Sequence, residues 1–158
     1  MIRFVQPQDA QALFGIYNPY VKNSVVTFEE SEVTVQEMTQ RILDASLPWF
    51  VLEEENRVQG YAYLAAWKHR SAYRFTAETT IYLREETTGK GLGEILYSHL
   101  IQAARERSLR VLVACLALPN EPSRRLHEKL GFRKVAHFSS VGFKFDRWLD
   151  VGYWELQL

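Results

Sequence analysis

The sequence predicts an α/β fold, a central mixed sheet with helices on both faces. Three observations carry that prediction. Short runs rich in β-branched and aromatic residues alternate with amphipathic stretches along the chain. One run, Val111 to Leu116, is almost wholly apolar, as a central strand covered on both faces requires. A glycine-rich turn, Gly89-Lys90-Gly91-Leu92-Gly93, joins a β-rich run directly to a helical one.

Taken in order, Ile2 to Val5 reads as a first strand. Gln8 to Val21 reads as a helix, because Leu13, Ile16, Tyr17 and Tyr20 recur at helical spacing. Asn23 to Glu30 has no such period and reads as a loop with an extended piece. Thr34-Val35-Gln36-Glu37 is a capping box, and Val35, Met38, Ile42 and Ala45 form the stripe of a second helix. Trp49 to Glu54 and Arg57 to Trp67 read as strands around a tight turn at Glu55-Asn56. Thr76 to Leu83 is a further strand, rich in β-branched residues. Leu92, Ile95, Leu96, Leu100 and Ala103 mark an amphipathic helix after the glycine turn. Asn120 is a natural N-cap for the next helix, with Pro122 tolerated in its first turn and Gly131 as a left-handed cap at its end. Two strands, about Lys134 to Phe143 and Val151 to Gln157, finish the chain. No linker or repeat interrupts this order, so residues 1–158 are expected to form one domain.

Composition excludes several function classes. Lys plus Arg and Asp plus Glu both number 19, so no basic surplus is available for a sequence-independent hold on nucleic acid. The cluster Arg105, Arg107 and Arg110 reads as a solvated helix end. A single cysteine, Cys115, rules out a disulfide framework and a multi-thiolate zinc site, and no metal is expected. Its place in an apolar run reads as a buried structural thiol. The N-terminal residues lack the pattern of a signal peptide, and no apolar run approaches the ~20 residues of a membrane helix. The expected compartment is the cytoplasm, with no membrane partner.

The glycine turn is the first sign of chemistry. A strand, a glycine-rich turn and a helix N-terminus together gather free N–H groups and the positive end of a helix dipole, which suits an anion. The dinucleotide pattern fails because Glu94 stands in the place of the third glycine. The nucleoside triphosphate pattern fails because Gly91, not Ser or Thr, follows Lys90. Alone, the turn is equally consistent with a helix entry that binds nothing.

The segment from Ile81 to Gly93 resembles the pyrophosphate loop of the GNAT acetyltransferases, with Thr88 where Gln or Arg is common and Gly91 and Gly93 in the glycine places. Asn120 to Phe132 resembles the family's second motif, an Asn-led helix that ends in Gly-Phe. The resemblance implies the GNAT fold, acetyl-CoA as co-substrate, and a hold on its pyrophosphate by Gly89, Lys90, Gly91, Leu92, Gly93 and Glu94. It further implies that Ile81, Tyr82 and Leu83 pair with the pantetheine arm as an added strand would, with Asn120 contributing its amide.

Ala72 to Tyr82, Ile16-Tyr17-Asn18, Thr27-Phe28-Glu29, Leu118 to Ser123 and Gly142 to Trp154 resemble one branch of that family, the phosphinothricin and methionine sulfoximine N-acetyltransferases. In that branch Glu78 corresponds to the base and His127 to the histidine of the Leu-His-Glu motif, where much of the wider family has an acidic Tyr. An α-amine must lose a proton before it can attack a thioester, so a carboxylate beside the acyl group suits the chemistry. Burial among Trp67, Tyr73 and Phe75 is expected to raise the proton affinity of Glu78, and an N–H near Leu83 is a candidate oxyanion donor. His127 is a candidate to protonate the sulfur or to orient substrate. Read without the resemblance, Glu78 is a strand carboxylate paired with Lys68 or Arg74, and His127 an exposed helix residue.

The resemblance also implies an amino-acid substrate held by Phe28, Lys68, His69, Arg70, Tyr73, Glu78, Thr79 and Thr80, with the cations serving its carboxylate. Glu29 is expected beside Phe28. These enzymes are typically homodimers, and Lys144 and Trp148 are expected to wall the pocket from the partner. Two rivals stay open: transfer to another small amine or a protein N-terminus, and a sensor that binds acetyl-CoA without turnover.

Overall fold

Seven strands make one sheet in the computed structural model, which describes residues 1–158. In chain order the elements are β1 (Ile2–Phe4), α1 (Ala10–Asn23), α2 (Val35–Leu43), β2 (Trp49–Glu54), β3 (Arg57–Ala66), β4 (Thr76–Leu83), α3 (Leu92–Glu106), β5 (Val111–Leu118), α4 (Glu121–Lys129), β6 (Arg133–Lys144) and β7 (Arg147–Gln157). The sheet order is β1-β2-β3-β4-β5-β7-β6. Only β4 and β5 pair in parallel; every other neighbour is antiparallel. The expected α/β class and mixed sheet are found.

Local chemistry explains the boundaries. Thr34 Oγ1 accepts from Glu37 N at 3.1 Å and the Glu37 carboxylate accepts from Thr34 N at 2.6 Å, the capping box that starts α2. Such a cap is worth about 1 kcal/mol. Glu55 and Asn56 carry φ of +49° and +59°, the mirror-image turn that a tight hairpin prefers. Phe145 and Asp146 do the same, at +53° and +54°. That second turn corrects the expected start of β7, which begins at Arg147 and not Val151. Phe-Asp carries none of the glycine or asparagine signal that marks such turns in a sequence.

The two faces of the sheet are covered unequally. Leu64, Ala77, Leu96, Tyr97, Leu100, Leu112, Ala114 and Trp154 are buried between the sheet and α3 and α4. On the other face α1 and α2 cover Val51, Val58 and Tyr61 of β2 and β3. Their cover stops short of β5. Alternation sends Leu112, Ala114 and Leu116 into the helix-covered core and Cys115 to the opposite face, where it is exposed. The expectation of a buried thiol is corrected: α1 and α2 stop short of Cys115, which is exposed between Val113 and Ala117, buried neighbours on the same face.

Candidate active site

The parallel pair at the centre of the sheet is short. Register links Thr76, Ala77 and Glu78 to Val111, Leu112 and Val113, after which β4 continues to Leu83 and β5 to Leu118 without pairing. The direction of their backbone groups follows from the flanking ladders. Arg84 N donates to Gln59 O at 2.8 Å, two residues beyond the Tyr61–Tyr82 pair. In an antiparallel ladder bonded and non-bonded pairs alternate, so Glu78, Thr80 and Tyr82 bond to β3, while Ile81 and Leu83 turn their N–H and C=O toward β5. Leu158 N donates to Arg110 O at 3.0 Å, and the same count turns Cys115 and Ala117 toward β4. Two strand edges therefore face each other across an opening. The Leu83 carbonyl is taken by the Tyr20 hydroxyl at 2.6 Å, which leaves its N–H available. Of the expected trio Ile81, Tyr82 and Leu83, the middle residue offers no backbone group to the opening.

The glycine turn closes one end of that opening. Gly89 and Gly91 have φ of +77° and +81°, which a side chain would strain, and a Cβ on either would meet nothing within 4 Å. Gly91 is the N-cap of α3 and no side chain caps it. Ile95 N bonds Gly91 O, so the N–H groups of Leu92, Gly93 and Glu94 precede the first intrahelical donor. Leu83 and Leu126 side chains stand 3.3 Å and 3.4 Å from where a Gly93 Cβ would lie, so the loop sits close on β4 and α4. The Glu94 carboxylate turns away to Lys129 at 2.5 Å, so only its backbone serves the turn. Lys90 is exposed and lines a polar cavity with Glu54, Glu55, Arg57, Gln59 and Glu86. Asn120 caps α4 through its Oδ1, which accepts from Ser123 N at 3.2 Å, leaving its Nδ2 group for other use.

Glu78 lies at the last paired position before the strands part. It is half-buried, and desolvation raises its carboxyl above the ordinary glutamate value, with Lys68 pulling partly the other way. The expected direction is found, and no close ion pair with Lys68 or Arg74 forms. Strand alternation puts Thr80 and Tyr82 on the same face as Glu78, with Thr80 beside Tyr63. It puts Thr79 on the other. Thr79 is 5 % exposed and hydrogen-bonds Tyr97 inside the helix-covered core, so its side chain is corrected from substrate contact to core anchor. Cys115 and Tyr153 are cross-strand neighbours on the face of Glu78.

His127 is buried, 4 % exposed, against the reading of an exposed helix residue. Its ring stands edge-on to Tyr97 and to Phe132. Nδ1 lies 2.7 Å from Ser123 O. A carbonyl can only accept, so Nδ1 carries the proton and Nε2 presents a lone pair. Burial lowers the pKa from the ordinary histidine value, which keeps the ring neutral. The acid role implied by the resemblance requires a proton on Nε2 that this setting disfavours.

The open face is bounded on one side by residues 24–33, a segment without helix or strand. Thr27 is buried and shares a hydrogen bond of 2.7 Å with the Tyr17 hydroxyl, which also donates to Glu29. Arg41 of α2 grips the same Glu29 carboxylate with two nitrogens. Tyr17 packs edge-on against Tyr82 at 5.0 Å, which brings this segment onto the face of β4 that holds Glu78. Phe28 is exposed beside it. Lys68, His69, Arg70 and Tyr73 lie in the exposed connection between β3 and β4, with the Lys68 ammonium 5.1 Å from the Trp67 ring centroid and Tyr73 edge-on to that ring. Of these side chains only Lys68 bears electrically on Glu78. Lys144 is corrected: it is 2 % exposed and bonds within its own chain, so it cannot wall a pocket from a partner. Trp148 remains exposed.

Tyr97, Tyr20, Arg41 and Asn18 escaped the sequence reading as functional residues. All sit on helices at positions whose apolar or solvated neighbours explain them without chemistry, and only tertiary contacts single them out. No group of three or more His, Cys, Asp and Glu side chains is arranged to hold a metal ion.

Comparison with known proteins finds relatives along nearly the whole chain. The family described as "Acetyltransferase (GNAT) domain" matches residues 2–152. The chain is 38% identical over 156 residues to the phosphinothricin N-acetyltransferase of Streptomyces viridochromogenes, covering 98% of this chain and 85% of that one. It is 36% identical to the L-methionine sulfoximine/L-methionine sulfone acetyltransferase of Salmonella typhimurium, covering 99% and 94% of the two chains. The crystal structure of a phosphinothricin acetyltransferase from Sinorhizobium meliloti in complex with AcCoA superposes with a TM-score of 0.96 at 34% identity, covering 100% of this chain and 88% of that one.

Proposed function

The chain belongs to the GNAT acetyltransferase family, and from that premise we propose that it moves acetyl from acetyl-CoA directly to the α-amino group of a small amino acid. Phosphinothricin, methionine sulfoximine and methionine sulfone are the acceptors its relatives point to. One observation carries the reading: an unpaired, half-buried carboxylate, Glu78, stands where two strands part and leave facing edges of free backbone groups.

The residues present fit acetyl-CoA. The Gly89 to Glu94 backbone would hold its pyrophosphate, the free edge at Ile81 and Leu83 would pair with its amides, and Asn120 Nδ2 would reach the pantetheine. When bound, acetyl-CoA supplies the acetyl group as an activated thioester. Glu78 takes the proton from the acceptor amine, directly or through a water, which its raised pKa favours. The Leu83 N–H, five residues and about 16 Å along β4 from Glu78, is too far from it to share one acyl carbonyl, so the oxyanion role expected there is not assigned to it. His127, neutral and fixed by Ser123, braces Tyr97 and through it Thr79 at the floor of the opening. Lys68 serves the acceptor carboxylate as a point charge, with Phe28, His69, Arg70, Tyr73 and Thr80 around it. Desolvation and the nearby charge of Glu78 push the Cys115 thiol up, so it stays protonated and no acetyl-cysteine is needed.

We propose that residues 1–158 act as one domain in the cytoplasm, where acetyl-CoA is available, and that they pair as a homodimer. Phe138, Val141, Phe143, Phe145 and Trp148 lie exposed on the β6–β7 hairpin, an apolar patch that a second copy would cover. Light scattering should give a two-chain mass; a one-chain mass at working concentration removes the dimer.

The function is tested by release of free CoA thiol with a panel of the three amino acids, simple amines and a peptide with a free N-terminus. Turnover is expected on the amino acids. Turnover on the peptide alone favours the protein-acetylating rival, and acetyl-CoA binding with no turnover on any amine favours the sensor.

A further inference from the structure

Residues 24–33 bound the acceptor face without secondary structure of their own, so their backbone groups must find partners on other elements. Helix α1 supplies some, and α1 and α2 together hold two of the segment's side chains. Asn18 of α1, buried, clamps Val33 through both backbone groups: Nδ2 donates to its O at 2.8 Å and Oδ1 accepts from its N at 3.0 Å. Tyr17 and Arg41 hold Thr27 and Glu29, as described above. The third anchor comes from the far edge of the sheet. Lys144, at the end of β6, donates from Nζ to Ser24 O at 2.7 Å and to Thr27 O at 2.9 Å, and the same ammonium lies 5.1 Å from the Phe145 ring centroid.

Gly142 touches the same segment. A strand presents residues two apart on one face, and a Cβ on Gly142 would stand 2.4 Å from the Phe28 ring. So β6 meets the segment at two positions, a charge at the Ser24 and Thr27 carbonyls ahead of Phe28 and a missing side chain beneath its ring. Burying an ammonium is costly unless its donors are met, and an apolar residue would pack here without that cost. The charge is retained where it fixes two carbonyls of a segment with no structure of its own. Burial lowers the Lys144 pKa, while Glu30 and Glu29 act to keep it protonated.

We infer that Lys144 is a positioning residue for acceptor binding, which ties the Ser24 and Thr27 carbonyls to the β6–β7 hairpin and so sets Phe28 and Glu29 at the edge of the Glu78 face. It acts through the segment and not on the reactants. The inference rests on the amino-acid acceptor reading above.

The test is steady-state kinetics on the full chain, with the amino acid and acetyl-CoA varied separately, for wild type, Lys144→Met and Gly142→Ala. Lys144→Met should raise the amino-acid KM by about tenfold or more while the acetyl-CoA KM stays within about twofold. Gly142→Ala keeps Lys144 and moves only the Phe28 ring, and should raise the amino-acid KM by about threefold or more. A general loss of folding would lower kcat through the active fraction and leave both KM values alone. That result overturns the inference, as do wild-type KM values in Lys144→Met or a parallel rise of both. Should Lys144→Met fail to fold, Gly142→Ala decides, and an unchanged amino-acid KM in it overturns the inference. A wild-type chain that acetylates no amino acid brings down the acceptor reading itself and the inference with it, an outcome visible in the wild-type arm alone.

Discussion

The two halves of the proposed site are built from different materials. On the cofactor side the working groups are backbone: the free edge at Ile81 and Leu83, and the N–H groups that follow Gly91 at the start of α3. On the acceptor side they are side chains, Glu78, Lys68 and Phe28, with a segment that Lys144, Tyr17 and Asn18 hold in place from three different elements. A backbone site tolerates change in most side chains and fails where φ is forced. A side-chain site fails residue by residue. Single substitutions should therefore act on one substrate and spare the other.

The largest effect is expected at Glu78. Glu78→Gln keeps the shape and removes the base, so kcat should fall by about 10²–10⁴-fold. Acetyl-CoA affinity, measured by calorimetry, should hardly move. A matched loss of both would break the division into two halves.

Gly91→Ala tests the other half. Forcing a Cβ residue to hold φ of +81° costs about 1–2 kcal/mol, so acetyl-CoA should bind roughly tenfold more weakly, with the amino-acid KM little changed. Isothermal titration reads this directly. An acetyl-CoA affinity equal to wild type would mean that the turn does not carry the cofactor.

His127→Asn should lower kcat by about tenfold or less, well short of Glu78→Gln, because the neutral Nδ1–H ring braces Tyr97 and gives no proton. Stopped-flow rates equal to those of Glu78→Gln would restore the acid role. The smallest effect is expected at Thr88, whose hydroxyl is already spent on Glu85 O at 2.8 Å. Thr88→Ala should leave acetyl-CoA affinity within about twofold, since the backbone donors remain.

That same difference in material decides how much could be read from the sequence. Helices and strands were legible because their periods are local, and the glycine turn because positive φ selects glycine at fixed places. Glu78 is legible as a strand carboxylate, and the expected direction of its pKa is found, carried by desolvation of its position on the strand. What the chain does at long range was not. Thr79 was grouped with Glu78 and Thr80, although alternation alone sends it to the opposite face, into hydrogen-bond contact with Tyr97. Cys115 looked buried because its run is apolar, but the reach of α1 and α2 across the sheet decides that, and no local pattern encodes it. Lys144 looked like an exposed interface charge. Its partners lie 120 and 117 residues away along the chain. Sequence alone reads His127 as an exposed helix residue, yet it points inward between Tyr97 and Phe132.

The central claim is that Glu78 is the base on the open face, and the pH dependence of kcat/KM for the amino acid tests it most directly. A base must be ionised to act, so activity should fall as pH drops through its pKa. Because desolvation raises that pKa from 4.5, the wild-type acid limb should lie above the ordinary glutamate range. This limb should disappear in Glu78→Gln along with most of the rate. The same limb persisting in Glu78→Gln, or a variant as fast as wild type, would contradict it.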